Sequence, residues 1–285
     1  MHLILILVSG GLAMSWRGVN VSSSGTWAQR WQRSLIKLIV PPLMLLISAI
    51  AVIWMGPQGQ MLGQPTGWLG YGLAWGLWGW AILLGLVLAF KSWRLINQVD
   101  HCSQIVVQGI TVRVLENPVL FCAQIGLWNP ELVVSQGLLK ILTPEQQKAV
   151  FIHEQAHRYY QDTFWFLGLG FCRRLTAWLP GTEDIWQELL LLRELRADRW
   201  AAQQIDPLLL AESLLLMVRQ SVAISEESCA AFSCVAPQNR MTERIEALLK
   251  DDSTLESDSQ LNYWSWSRVF FVFLPLISVP FHYRC

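Results

Sequence analysis

Residues 143–162 read TPEQQKAVFIHEQAHRYYQD, and the interpretation of the rest of the chain turns on them. Thr143 followed by Pro144 and Gln146 predicts a helix start. Threonine is a good N-cap, proline suits the first helical position, and Gln146 completes a capping box. The helix is expected to continue through Glu154 to about residue 162. Inside it lies His153-Glu154-Gln155-Ala156-His157. Side chains four residues apart leave a helix on one face, so both imidazoles can reach the same divalent ion. Glu154, one position on, can take a proton from a water on that ion without occupying it. Zinc lowers the pKa of such a water to about 7, so the pattern supplies two ligands and a general base. The bland alternative is a surface helix with an incidental histidine pair, and the helical setting weighs against it.

A catalytic zinc needs a third protein ligand and an open position. The best candidate is Glu194 in Arg193-Glu194-Leu195-Arg196-Ala197-Asp198, within a helix expected over 183–204. Glu194 and Asp198 are four apart and share a face. One carboxylate can ligate while the other fixes the tautomer of a ligating imidazole. Taken alone, Glu194 reads equally well as a solvated salt bridge to Arg193 or Arg196. Upstream, 105–116, 119–124 and Glu131–Ser135 are β-branched or short, punctuated by Gly109, Asn117-Pro118 and Asn129-Pro130, and predict strands. The Glu131–Ser135 strand, through Val133 and Val134, is a candidate edge for an extended substrate. Arg240 and Arg244 are candidate oxyanion donors, although surface salt bridging is the commoner role for both. His101 reads as structural or solvent-exposed. Helices are further expected over 164–179, 207–221 and 241–250.

Composition puts this region beside a membrane. Of 285 residues 53% are apolar and only 15% charged, and the formal net charge is zero. That apolar excess is unusual for a soluble enzyme, and no global basic field suggests a nucleic-acid partner. Apolar stretches cover 3–16, 35–55, 67–90 and 269–281. The first is short and interrupted by Ser9, Gly10 and Gly11; the second carries Pro41-Pro42, an expected kink. The 16 tryptophans crowd around these stretches, as interfacial anchors do. Arg17, Arg30 and Arg33 precede the second stretch and Lys37 lies at its start, residues 56–66 carry no charge, and Lys91 and Arg94 follow the third. By the positive-inside rule the region from about 92 to 260 is cytoplasmic. A cleaved signal peptide is the competing reading of the first stretch, but it lacks a basic n-region and an A-x-A site. Cys102, Cys122, Cys172, Cys229, Cys234 and Cys285 form no C-x-x-C pair, and isolated thiols in a reducing compartment are expected rather than a Cys229–Cys234 bridge.

The motifs together resemble a known family. The runs Leu132-Val133-Val134-Ser135-Gln136-Gly137-Leu138-Leu139, Leu142-Thr143-Pro144-Glu145-Gln146 and His153-Glu154-x-x-His157-Arg158, then Asp162, are similar to those of the M56 integral-membrane metallopeptidases. Asn117-Pro118, Gly126-Leu127-Trp128-Asn129-Pro130 and Glu194-x-x-x-Asp198 fit the same pattern. The resemblance covers about 95–250 in motifs. It implies a gluzincin-type site with His153, His157 and Glu194 on Zn²⁺, Glu154 as base and Asp198 behind a ligand. It also implies a cytoplasmic protease domain that cleaves itself or a transcriptional repressor. The β-lactam sensors of that family carry a penicillin-binding domain after the last span, and because the 285 residues hold none there, a drug-sensing role is not expected of them. The M48 membrane proteases share H-E-x-x-H and E-x-x-x-D and form the alternative family. A signalling component acting mainly by binding a repressor or sensor protein is the alternative function. The expected architecture is a mainly α, multi-pass membrane protein. Residues 1–94 form a membrane region, 95–260 a gluzincin-type α+β zinc protease domain with a small sheet, and 261–285 a C-terminal transmembrane helix.

Overall fold

Ser9, Gly10 and Gly11 do not interrupt the first apolar stretch: α1 (His2–Gly18) runs through them. The Ser9 hydroxyl donates to the Leu5 carbonyl within the helix and meets the Ser48 hydroxyl at 2.7 Å, so its polarity is satisfied locally. The computed structural model describes residues 1–18, 25–61, 64–220, 240–249 and 267–283. α2 (Trp27–Met55) is capped by Thr26, starts well before the apolar stretch and continues through Pro41 and Pro42. Arg30, Arg33 and Lys37, expected in a loop, are therefore helical. β1 (Gln60–Met61) and β2 (Gln64–Pro65) precede α3 (Trp68–Asp100), which likewise extends past its apolar part to carry Lys91 and Arg94.

The second region begins with β3 (Ser103–Val107) and β4 (Ile110–Leu115), an antiparallel hairpin turned at Gln108 and Gly109, both at positive φ. Two positive-φ residues match the twist of paired strands. β5 (Cys122–Ile125) and β6 (Glu131–Ser135) follow. Next come α4 (Gln136–Ile141), α5 (Pro144–Tyr159), α6 (Asp162–Leu175), α7 (Thr182–Ala202), α8 (Pro207–Gln220) and α9 (Met241–Leu249). The chain is thus mostly helical with a small mixed sheet. The expected C-terminal transmembrane helix is instead a 3₁₀ helix over Ser267–Phe281, followed by β7 (His282–Tyr283) paired with β1. Pro275 and Pro280 each lack the N–H that α-helical bonding needs. Cys229 and Cys234 lie outside the described residues, whereas Cys102, Cys122 and Cys172 are free thiols.

The chain divides into two compact units. One comprises Met1–Val87, Leu169–Leu189 and Glu256–Cys285; the other comprises Leu88–Gly168 and Leu190–Leu255. Residues Leu169–Leu189, grouped by sequence with the protease region, thus cluster with the N-terminal unit. There, Ala49, Ala51, Val52 and Met55 of α2 pack with Ala74 of α3. A Cβ on Gly70 would sit 2.7 Å from the His2 Cβ, so glycine permits the close approach of α1 and α3. α2 and α3 are long and apolar enough to cross a membrane. They differ in setting, since 61% of the apolar window of α2 is buried and only 17% of that of α3. Trp68, Leu69, Trp75, Trp80, Leu83 and Leu86 are all exposed.

In the other unit the four-stranded sheet has the order β3-β4-β6-β5, with β4 and β6 parallel and the remaining pairs antiparallel. β6 is therefore an inner strand. Val133 and Val134 are 1% and 0% exposed, on opposite faces: Val134 packs with Val112, Leu132 and Phe151, Val133 with Val99, Ala123 and Ile125. The substrate edge expected on Glu131–Ser135 is excluded, because both sides of that strand are already hydrogen-bonded. Among the described residues, the unpaired edge next to the sheet-packed helix α5 belongs to β5. Behind α5, Ala149 and Ile152 join Ala201, Leu210, Leu214 and Met241 in a second core.

Candidate metal centre

The start of α5 forms as the sequence predicts. Thr143 accepts from the Gln146 N–H and Gln146 accepts from the Thr143 N–H. The helix stops at Tyr159 rather than near 162, because Gln161 takes a positive φ of 53°. That break lets Asp162 begin α6 and turn back toward α5.

His153 and His157, both buried, face each other with their Nε2 atoms 3.3 Å apart. The Glu194 carboxylate of α7 closes the triangle, 3.3 Å from His153 Nε2 and 3.6 Å from His157 Nε2 by its nearer oxygens. Donors about 2.0–2.1 Å from one tetrahedral ion lie roughly 3.3–3.4 Å apart. The triad therefore has the size of one face of a tetrahedral coordination shell, and its two imidazoles and carboxylate are a donor set suited to a divalent transition metal.

Electrostatics point the same way. His157 Nδ1 lies 2.8 Å from Asp162 Oδ2, and His153 Nδ1 lies 3.0 Å from Asp198 Oδ1. The second contact is poorly aligned for a hydrogen bond, but 3.0 Å leaves no room for an intervening water, and we treat it as an ion-pair contact. With both Nδ1 atoms turned to carboxylates, each neutral imidazole presents a bare Nε2 lone pair to the other and to Glu194. Three electron-rich atoms converge, and only a cation between them relieves the repulsion. Without a metal a proton plays that part: burial opposes it, but the carboxylates of Asp198 and Glu194 outweigh burial and lift His153 to about 9.

Glu194 itself is held firmly. Burial works against its charge, yet Arg193 and Arg244, with the two histidines, keep its carboxyl well below the ordinary glutamate value. Arg193 donates to Oε1 at 2.7 Å and Arg244 Nη1 lies 3.2 Å from Oε2. The salt bridge to Arg193 considered from sequence is thus present, but it is buried and coexists with the triad. Arg244, expected as an oxyanion donor, grips Asp198 with two 2.7 Å hydrogen bonds and is itself buried. Its guanidinium is thus committed to the carboxylates of Asp198 and Glu194. Arg240, half-buried, is the residue immediately before α9. His101 is exposed at the end of α3, against the Asn97 carbonyl.

Glu154 differs from its neighbours. It is half-buried, and among the described residues its carboxylate has no hydrogen-bond or ion-pair partner. Burial raises its pKa, against the pull of His157 and His153. A desolvated, unpaired carboxylate beside a cation site is what a general base requires. The sequence left Asp162 without a role. It holds His157 with one oxygen and accepts from Arg196 with the other, and Arg196 lies over the Tyr160 ring. An acid five residues beyond His157 was the available signal, but no helical spacing marks it, because the chain turns between the two.

No protein-family model matches the chain, and no curated protein is significantly similar to it.

Proposed function

We propose that the chain is a membrane-bound zinc endopeptidase of the gluzincin type, similar to the M56 metallopeptidases. One observation carries this reading: an unpaired, desolvated Glu154 stands beside a His153–His157–Glu194 triangle with edges of 3.3 to 3.6 Å. His153, His157 and Glu194 would hold the ion. When bound, zinc supplies Lewis acidity toward water and a peptide carbonyl. Glu154 takes the proton released by the attacking water and delivers it to the leaving amine nitrogen, so no net proton is gained or lost at the enzyme. Asp162 and Asp198 keep each imidazole's Nε2 turned inward. Arg193 and Arg244 keep Glu194 and Asp198 ionised. The free edge of β5 suits an extended protein segment by backbone pairing.

The exposed tryptophans and leucines of α3 support membrane embedding, since such a continuous apolar face is costly in water. The positive charges in the N-terminal part of α2 and following the apolar part of α3 support a cytoplasmic protease region. The substrate is then a cytoplasmic or membrane-proximal protein, a transcriptional repressor or the chain itself. Comparing the proteomes of cells carrying wild type and Glu154→Gln tests this. We expect a substrate that accumulates uncut in the variant, with zinc content unchanged and turnover lowered by about 10²–10⁴-fold. Equal processing by both forms would refute the mechanism and leave a role in binding a repressor or sensor.

A further inference from the structure

The apolar part of α3 ends in two exposed cations, Lys91 and Arg94. Among the described residues neither side chain has a hydrogen-bond or ion-pair partner. The nearest acid along the helix, Asp100, lies about 9 Å beyond Arg94 and is turned to Arg113 at 3.7 Å. Arg94 lines a shallow groove of about 550 Å³ together with Phe90, Trp93, Asn97, Gln98 and His101. Leu88, Ser92 and Val99 are buried instead, and Leu95 and Val99 pack with Ala123, Ile125 and Val133 of the sheet. At about 3.6 residues per turn the two sets fall on opposite sides of the helix. The groove therefore opens on the side of α3 turned away from the sheet.

Along the helix its lining changes in the order of a bilayer boundary. Phe90 and Trp93 are 59% and 58% exposed, with their rings 5.9 Å apart. Exposed tryptophan at this level is the habit of a lipid–water interface. Lys91 and Arg94 stand beside the two rings. Asn97 and Gln98 follow about one turn further on, and their side-chain amides bond to none of the described residues. His101 closes the far end, its Nδ1 2.5 Å from the Asn97 carbonyl oxygen. A lipid phosphodiester suits this sequence of groups. The guanidinium offers it paired N–H donors, the ammonium a point charge, and the amides can bond the hydroxyls of a glycerol headgroup. A zwitterionic headgroup would bring its own cation against Lys91 and Arg94.

We propose that this face of α3 is a binding site for the headgroup of an anionic phospholipid, with Lys91 and Arg94 on the phosphate and Phe90 and Trp93 at the acyl boundary. The proposal rests on the reading of α3 as a membrane span and is independent of the peptidase chemistry.

The full chain is purified in detergent and titrated with phosphatidylglycerol or phosphatidylcholine, and native mass spectrometry counts the lipid retained. Each cation near a headgroup is worth about fivefold in affinity, so phosphatidylglycerol should bind on the order of 10- to 30-fold tighter, less so as salt rises. Lys91→Gln with Arg94→Gln should abolish that preference at unchanged helicity. Lys140→Gln with Lys148→Gln, which removes the same charge from other exposed positions, should leave it intact. Equal binding of the two lipids overturns the site. So does a preference that survives the Lys91/Arg94 change, or one lost equally with Lys140 and Lys148. Displacement of the lipid by an equal concentration of glycerol phosphate would mark a soluble-anion site and overturn it too. Flotation with phosphatidylcholine vesicles, with and without phosphatidylglycerol, separates the two readings. A detergent-free chain that floats with neither refutes the membrane span and the site together. One that floats with both, yet shows no lipid preference in detergent, refutes the site alone.

Discussion

Replacing Asp162 by asparagine isolates one carboxylate that sequence did not assign. In the native site both its oxygens are used: Oδ2 accepts from His157 Nδ1 at 2.8 Å, and Oδ1 accepts from Arg196. The side chain is only 4% exposed, so water cannot substitute for either contact. An asparagine of the same shape has one acceptor and one donor. If its oxygen serves His157, its NH₂ faces the Arg196 guanidinium, donor against donor. If it flips, the imidazole loses its acceptor and the inward Nε2 lone pair is no longer enforced. Either way the negative charge behind the imidazole is gone. Loss of such a partner costs about 10–100-fold in metal affinity, or roughly 1.4–2.7 kcal/mol. The assay is a zinc competition titration with a chromophoric chelator at neutral pH in detergent, with circular dichroism to confirm helicity. An affinity within about twofold of wild type, in a protein of unchanged helicity, would show that His157 does not depend on Asp162.

Further outcomes follow from the same contacts. His153 should carry a proton at neutral pH in the metal-free protein, because Asp198 and Glu194 overcome burial and lift it from 6.5 to about 9. Zinc must displace that proton, so apparent affinity should climb up to about tenfold per pH unit from neutral toward 9; a flat profile would contradict it. The same raised pKa adds stability to the metal-free protein that is complete below pH 6.5 and lost as pH rises through about 9. Thermal melts in chelator across that range measure it. Arg244→Leu strands the buried carboxylates of Asp198 and Glu194 and should cost about 3–5 kcal/mol. A melting temperature equal to wild type would argue against that network. Gly137→Ala would put a Cβ 2.0 Å from the Pro118 carbonyl oxygen, where backbone meets backbone. A loss of at least about 1–3 kcal/mol is expected in chemical denaturation, and wild-type stability would mean the loop yields freely.

The parts of this protein written in its sequence are those governed by spacing along one helix or one apolar run. The Thr143 cap, the shared face of His153 and His157, and the shared face of Glu194 and Asp198 all follow from a 3.6-residue period and the first-turn hydrogen-bond deficit. The two long apolar helices follow from length and composition, although their ends do not: α2 and α3 run beyond the apolar stretches because charged residues are good helix formers too.

Tertiary structure decided everything that depends on which segments meet. Glu131–Ser135 reads as a strand, but nothing local says that β4 and β5 would occupy both of its sides and pass the free edge to β5. Arg244 reads from sequence as an oxyanion donor or a surface salt bridge, but only the packing of α9 on α8 and α5 brings it onto Asp198 and Glu194. Asp162 reaches His157 because the chain reverses at Gln161, a backbone conformation that glutamine's sequence preferences do not announce. Helical period is a property of consecutive residues and survives in any context. Strand order, ion-pair choice and the reach of a buried carboxylate are settled by competition among distant partners for one desolvated space.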